Sequence, residues 1–307
     1  MRGGADGAMT VATLLVSHGT VQHLDELEAF ATNIRRGRPA PRELVSELRR
    51  KYEAIGGSPL NAINAQVASK LERRLGVRVV WANRLWKPYA RDVIATLSVQ
   101  GVRRIALVPL AQYSAHVYGA DAREAADAHG VELSCAPNWG DSPALCEAFA
   151  SRIVSALPAS SQADSTAVMM TAHSLPRSVL ESGDPYERDV RAAGERIAAA
   201  VRARLRAHTG FFVAFQSQGV SAGDGRRAEW LGPDLPTTLD RAVERGYRHV
   251  LVAPIGFLAD HVEILYDLDV EARAMAQGRG LTFARVPSLN SDDDLIDVLE
   301  GIARSLL

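Results

Sequence analysis

The strongest constraint on the fold is an alternation of strand-length apolar runs with helix-length amphipathic stretches. Residues 10–17 (TVATLLVS) form an almost unbroken run of apolar and β-branched side chains, the composition of a parallel strand covered on both faces. Shorter runs at 77–82, 104–110 and 131–136 continue the series, separated by helical patterns at 24–34, 43–52, 62–75, 89–100, 120–128 and 143–157. A second series follows, with strands expected at 167–172, 211–216, 249–255 and 281–286. Helices are expected at 186–207, 239–245, 260–275 and 293–307, and a loop over 219–232. Strands interleaved with helices imply right-handed βαβ units and parallel sheets. The economical architecture is two Rossmann-like α/β halves with a cleft between them. Residues 10–158 form the first, 159–307 the second, and the small polar stretch 159–165 is their boundary.

Within the second half, Val168-Met169-Met170-Thr171-Ala172-His173-Ser174-Leu175-Pro176 is the most informative stretch. An apolar run ends on a histidine, and a proline follows where a helix can begin, since proline has no N–H to satisfy. His173 therefore belongs at the carboxyl end of a strand, the edge at which open parallel sheets bind ligands.

Composition bounds the rest. The chain has 307 residues, 47% hydrophobic and 23% charged, enough apolar material for two cores. A net charge of −1 gives no support for a nucleic-acid or anionic-membrane partner. Cys135 and Cys146 make no disulfide framework or zinc motif and are too few for a cysteine-held iron–sulfur cluster. They read as reduced thiols of a cytoplasmic protein. Residues 1–9 are Gly-rich and lack the apolar core of a signal peptide, and no apolar run reaches the length of a membrane span.

A second stretch repeats the logic of the first. Pro254-Ile255-Gly256-Phe257-Leu258-Ala259-Asp260-His261-Val262-Glu263 ends an apolar run, turns at glycine and starts a helix with acidic residues. Glu263, Asp267 and Glu271 fall at i, i+4 and i+8, along one side of a helix with a drift of roughly 40° per step. Aligned carboxylates repel unless a cation intervenes. The spacing is compatible with a cation path or with a solvated acidic face. An imidazole and a carboxylate at one sheet edge suit transient capture of a divalent transition metal, being too few ligands for a permanent structural site. A neutral imidazole can also take a proton near neutral pH.

Several motifs together resemble the ferrochelatase family. They are Ala172-His173-Ser174-Leu175-Pro176, Gly183-Asp184-Pro185-Tyr186, Gln216-Ser217, Trp230-Leu231-Gly232-Pro233 and Asp260-His261-Val262-Glu263-Ile264-Leu265-Tyr266-Asp267. The first half adds Ile34-Arg35-Arg36-Gly37-Arg38, Tyr52-Glu53-Ala54-Ile55-Gly56-Gly57-Ser58-Pro59-Leu60 and Gln112-Tyr113-Ser114. The resemblance implies two four-stranded parallel sheets flanking a porphyrin cleft, and insertion of Fe²⁺ with release of two protons. Ferrous iron is then a substrate, and no cofactor is permanently bound. His173 and Glu263 match the family's metal-site pair. Asp267 and Glu271 match its acidic ridge, on a helix with a π-type distortion that would reduce the drift. Arg35 and Arg36 become partners for propionates, which suit the guanidinium fork. Tyr52, Ser58 and Tyr118 are further porphyrin-site candidates by the same carry-over.

The short Arg-Arg-Gly-Arg segment, in place of a longer hydrophobic lip, is more similar to the coproporphyrin-type enzymes than to the protoporphyrin type. One residue departs from that pattern. Where the coproporphyrin-type enzymes carry an axial tyrosine before Gly-Thr, this chain has His18. An imidazole can also ligate iron. His18 is therefore a porphyrin-site candidate that either replaces the axial group or signals another metal or tetrapyrrole. The alternatives are a cobalt or nickel chelatase of a sirohydrochlorin-like substrate and a non-catalytic porphyrin carrier. No long exposed apolar helix demands a dimer, so a monomer is expected.

Overall fold

The computed structural model describes residues 10–158, 163–205, 209–217 and 229–307. Eight strands make two four-stranded sheets, every pairing parallel. The first contains β1 (Thr10–Ser17), β2 (Arg78–Asn83), β3 (Val102–Pro109) and β4 (Glu132–Cys135), in the order β2-β1-β3-β4. The second contains β5 (Thr166–His173), β6 (Gly210–Gln216), β7 (His249–Ala253) and β8 (Thr282–Arg285), in the order β6-β5-β7-β8. The two orders are one topology used twice, a repeat that the amino-acid identities do not display. β1 and β5 occupy equivalent inner positions, which is why their sequences are the most continuously apolar.

The first half carries a 3₁₀ turn (Leu24–Glu26) and six helices. These are α1 (Leu27–Ile34), α2 (Arg42–Ala54), α3 (Leu60–Leu75), α4 (Ala90–Val99), α5 (Ala115–Ala128) and α6 (Pro143–Ala156). In the second half α7 (Arg177–Glu181) and α8 (Tyr186–Arg202) follow β5, and α9 (Leu235–Glu244) follows β6. A π-helix (Glu263–Ala272) runs into α10 (Arg273–Gln277), and α11 (Asp293–Leu306) closes the chain. The helix expected at 24–34 is split, because His23 and Glu26 form a reciprocal capping box that starts a tighter turn first. The short α7 was not expected. It begins directly after Pro176, as the proline allows.

The halves are fused rather than merely tethered. α6 packs along α8, and α11 returns from the second half to pack on α3, α6 and β3. One apolar cluster therefore runs through both halves, from Leu15 and Val108 to Leu251 and Leu299. Arg104 Nη2 donates to the Leu306 carbonyl at 2.9 Å across this seam. The expected boundary at 159–165 and the loop over 219–232 lie largely outside the described residues, as do residues 1–9. What the fusion leaves open is a cleft between the carboxyl edges of the two sheets.

Candidate active site

His173 is the last residue of β5, paired in register with Gln216 of β6. Three bonds fix its backbone and that of its neighbour. Tyr186 Oη donates to the His173 carbonyl at 2.8 Å, the Ser174 N–H donates to the Gln216 carbonyl at 2.7 Å, and Ser174 Oγ donates to the Leu231 carbonyl at 2.8 Å. The loop carrying Glu263 leaves β7 and is tied to β5 by the Gly256 N–H donating to the Thr171 carbonyl at 2.9 Å. The approach needs glycine, for a Cβ there would lie 2.5 Å from Ala172 Cα. His173 Nδ1 and Glu263 Oε2 consequently meet at 2.9 Å.

On the facing wall, His18 follows β1. Its carbonyl accepts from the Leu85 N–H at 3.0 Å, and the preceding Ser17 is held in a buried network with Asn83 and Asn64. Gly19 has φ +107°, and a Cβ there would press on Asn83 and Trp86 at 3.1 to 3.2 Å, so the turn that presents His18 depends on glycine. His18 Nδ1 lies 3.4 Å from Tyr118 Oη. Tyr52 is buried and shares a 2.7 Å hydrogen bond with Thr20 Oγ1.

His18, Tyr52, His173, Glu263 and Asp267 line one cavity of about 180 Å³. Much of the rest of its lining comes from α1 and α2, with Phe30, Ile34, Leu48 and Lys51, and from Ser217 and His261. This space is smaller than the roughly 300–1,000 Å³ of pockets that hold whole small molecules. A second cleft of about 630 Å³ lies on the far side of Tyr118, with Arg84, Tyr89 and Arg91 on its walls. Tyr118 lines this second space rather than the first. Arg35, Arg36 and Ser58 line neither. Arg35 Nε donates to the Pro39 carbonyl, Arg36 sits at φ +56° at the exposed end of α1, and Ser58 Oγ accepts from the Leu60 N–H.

The acidic residues sit on the π-helix as the resemblance implies. Its i→i+5 bonding puts residues four apart just short of a full turn instead of just past it, so the distortion reverses the drift rather than removing it. Side chains of the chain itself supply the cations opposite the ridge. Lys51 Nζ is 2.9 Å from Asp267 Oδ1, and Arg50 Nη2 is 3.7 Å from Glu271 Oε1. Glu271 does not line the cavity. Ser217, at the left-handed φ of +58°, donates its hydroxyl to Asp267 Oδ2. A non-glycine residue held there is strained, and strain of this kind persists where surrounding structure fixes it. Lys51, Ser217 and His261 are site residues beyond those singled out in the sequence. Only the Asp-His-Val-Glu and Gln-Ser motifs hinted at two of them.

The charges follow from packing. Burial disfavours a charged His173, but the Glu263 carboxylate more than compensates and raises its pKa. Burial likewise disfavours the Glu263 carboxylate, yet His173, His261 and His18 together hold its pKa far below the usual range. The contact therefore favours the charged form of each partner, imidazolium and carboxylate. His18 is lowered, chiefly because the surrounding protein strips water from the charged form, and it stays neutral at neutral pH. By area the residue is nevertheless exposed at the cleft wall. Among the described residues, no three His, Cys, Asp or Glu side chains converge as a ready-made metal cage.

Two fused four-stranded parallel sheets, with an imidazole–carboxylate couple at the carboxyl edge of the second, define a chelatase-type fold. The fold is matched by SirB of Bacillus subtilis solved with Fe³⁺, at TM-score 0.59 and 15% identity over 97% of this chain and 96% of that one. DR2241 of Deinococcus radiodurans, described as similar to chelatases, matches at TM-score 0.55 and 16% identity over 96% of this chain and 55% of its own. The ferrochelatase family model matches residues 10–307, and the chain belongs to that family. Relatives include a ferrochelatase of Thermus thermophilus, 35% identical over 95% of this chain and 98% of its own. A coproporphyrin III ferrochelatase of Mycobacterium marinum is 32% identical over 96% and 86%. The enzyme inserts ferrous iron into a porphyrin in haem biosynthesis, and the cobalt or nickel chelatase alternative is not favoured.

Proposed function

We propose that the porphyrin is coproporphyrin III, and that His173 and Glu263 divide the insertion between them. The observation that carries the division of labour is the 2.9 Å contact of His173 Nδ1 with Glu263 Oε2 at the cleft wall. With Nδ1 turned to the carboxylate, Nε2 is the nitrogen left to face a substrate. Insertion exchanges two pyrrole N–H protons for one Fe²⁺ with no change of oxidation state, so it asks for no resident cofactor. A ferrous ion arriving on Glu263 cancels the charge that holds the His173 proton. The imidazole then gives up its Nε2 proton to cleft solvent and accepts a pyrrole proton in its place, and a second round of the same transfer removes the other, so two protons leave for solvent as one Fe²⁺ is bound. Metal arrival and proton acceptance are thereby coupled through one hydrogen bond.

Asp267 and Glu271 supply the approach of the metal, and bending of the macrocycle draws on contacts to its periphery. The four-carboxylate substrate is supported by the cations around the rim. Arg35 and Arg36 stand at the exposed end of α1 and Arg50 on α2. Relatives named for coproporphyrin III point the same way. His18 is the axial group for the product iron, and Tyr52, Ser58 and Tyr118 take propionate-side contacts as the cleft widens. We place the enzyme in the cytoplasm as a monomer. No helix of the described residues is long and apolar enough to cross a membrane, and Cys135 and Cys146 are unpaired.

The test is anaerobic turnover with Fe²⁺ and either coproporphyrin III or protoporphyrin IX, followed by loss of the free-porphyrin spectrum. A kcat/KM for coproporphyrin III at least tenfold higher is expected. Equal or reversed preference overturns the substrate assignment.

A further inference from the structure

The ridge carboxylates are held from behind by a residue that never reaches the cleft. Arg285, at the end of β8, is half-buried against the π-helix. Its Nε and Nη2 donate to Asp269 Oδ1 and Oδ2 at 2.8 and 2.9 Å, a bidentate pair. Its Nη1 reaches Asp260 Oδ1 at 3.3 Å. Asp260 is itself fully engaged. Ser288 Oγ donates to Oδ1 at 2.7 Å, Asn290 Nδ2 donates to Oδ2 at 3.0 Å, and the Asp260 N–H donates to Asn290 Oδ1 at 2.8 Å.

Asp260 lies three residues before Glu263, and Asp269 lies two residues after Asp267 on the same π-helix. One guanidinium thus grips the segment on both sides of the two carboxylates that face the cleft. π-Helical turns are rare and occur mostly at functional sites. A length of ten residues needs support from outside the helix. The apolar side of the π-helix, with Ile264, Leu268 and Ala272, supplies burial but no rotational register. A planar fork bound to two carboxylates does supply it, because the bidentate geometry fixes direction as well as distance.

We infer that Arg285 is a positioning residue for metal capture, setting where Glu263 and Asp267 point without touching substrate. This rests on the assignment of Glu263 and Asp267 as the groups that receive iron. Groups that orient metal ligands characteristically change metal affinity or activity by about 10–100-fold when removed. Arg285 does not line the cavity, so porphyrin affinity is expected to be independent of it.

The experiment compares Arg285→Met, Arg285→Lys and Asp269→Asn with the unmodified enzyme and with Glu263→Gln. It measures the KM for Fe²⁺, kcat, and porphyrin affinity by fluorescence quenching. Arg285→Met is expected to raise the Fe²⁺ KM on the order of tenfold with the porphyrin Kd within twofold. Arg285→Lys keeps the charge and loses the fork, so it lies between. Asp269→Asn shifts KM in the same direction as Arg285→Met, and combining the two adds little. Should Arg285→Met fail to fold, Arg285→Lys and Asp269→Asn carry the comparison. An Fe²⁺ KM unchanged in every folded variant, or a porphyrin Kd that moves as far as the KM, overturns the inference. Full activity in Glu263→Gln instead overturns the site assignment beneath it.

Discussion

Lys51 Nζ stands 2.9 Å from Asp267 Oδ1, joining α2 of the first half to the π-helix of the second across the mouth of the cleft. The contact is one of a set. Arg50 donates to Tyr266 Oη, and both Arg50 and Lys51 lie over the Tyr266 ring at 5.3 and 5.6 Å. Lys51 keeps its charge, because the pull of Asp267, Glu271 and Glu47 exceeds the cost of its burial. The contact thus stands at the edge of the cavity that His173 and Glu263 line.

Lys51 also offsets the charge of the acidic ridge proposed as the metal's approach. Replacing it by Met leaves Asp267 without its nearest cation, beside Glu263 and Ser217. Titration of the porphyrin-free enzyme with Co²⁺ by calorimetry is expected to show binding tightened severalfold in Lys51→Met. It is expected to weaken in Asp267→Asn. Unchanged Co²⁺ affinity in Lys51→Met would show that the ammonium does not screen the ridge.

The alternating pattern made both sheets legible, because strands covered on two faces have to be apolar along their whole length. The His173–Glu263 pair was legible for a related reason, since His173 ends one apolar run of the second half and Glu263 starts the helix that follows another, and parallel strands share one carboxyl edge. Lys51 and Arg285 were not. Their roles depend on which distant carboxylate a long side chain reaches, 216 residues away for Lys51 to Asp267. Periodicity within a segment carries no such information. The acidic spacing at 263, 267 and 271 suggested a missing cation, and the structure supplies it from α2. Arg35 and Arg36 looked like cleft residues from the motif alone, yet their places at a helix end put them outside the closed cavity.

Removing the imidazole separates binding from chemistry. His173→Ala deletes the proton acceptor and leaves α2, β1 and the rim cations in place. We expect kcat to fall about 10²–10⁴-fold, the usual worth of a positioned general base, with porphyrin fluorescence quenching unchanged within severalfold. A non-catalytic carrier would show no insertion in the unmodified protein to lose. A drop of less than tenfold would remove His173 from the proton-transfer role.

The same pair gives stability a defined pH dependence. The raised pKa of His173 means that its contribution is whole below its ordinary value of 6.5 and is lost as pH rises through the folded value. The depressed pKa of Glu263 means that its contribution is whole above its ordinary value of 4.5 and is lost as pH falls through the folded value. The two overlap from about pH 4.5 up to the raised His173 value. The Tm gap between the enzyme and His173→Ala is therefore expected to be widest between the two ordinary values, 4.5 and 6.5, and to narrow as pH rises through the raised His173 value. A gap that grows with pH would contradict the imidazolium–carboxylate assignment.

His18 is neutral across the same range, held so by its crowded position. A neutral imidazole on the wall opposite His173 offers a lone pair to iron in a bound product. Adding ferric coproporphyrin to the enzyme is expected to give the Soret and resonance Raman signature of histidine ligation. His18→Ala is expected to lose it, and His18→Tyr to replace it with a phenolate charge-transfer band. An unaltered spectrum in His18→Ala would mean that the axial ligand comes from elsewhere.

Gly256 tests whether the site depends on the spacing of two strands. A methyl group at this position lies 2.5 Å from Ala172 Cα and 2.6 Å from its Cβ, against backbone that cannot rotate away. Gly256→Ala must push the loop after β7 off β5 at the residue before His173, carrying the Glu263 segment with it. Overpacking of this kind costs about 1–3 kcal/mol of stability. The mechanistic consequence is the more telling, since the 2.9 Å contact of His173 with Glu263 cannot survive that shift. The variant is therefore expected to retain porphyrin binding while its Fe²⁺ KM rises and its kcat falls together. Denaturant titration measures the first effect and steady-state rates the second. A variant that is destabilised yet turns over normally would show that the imidazole and carboxylate need not be held at that distance.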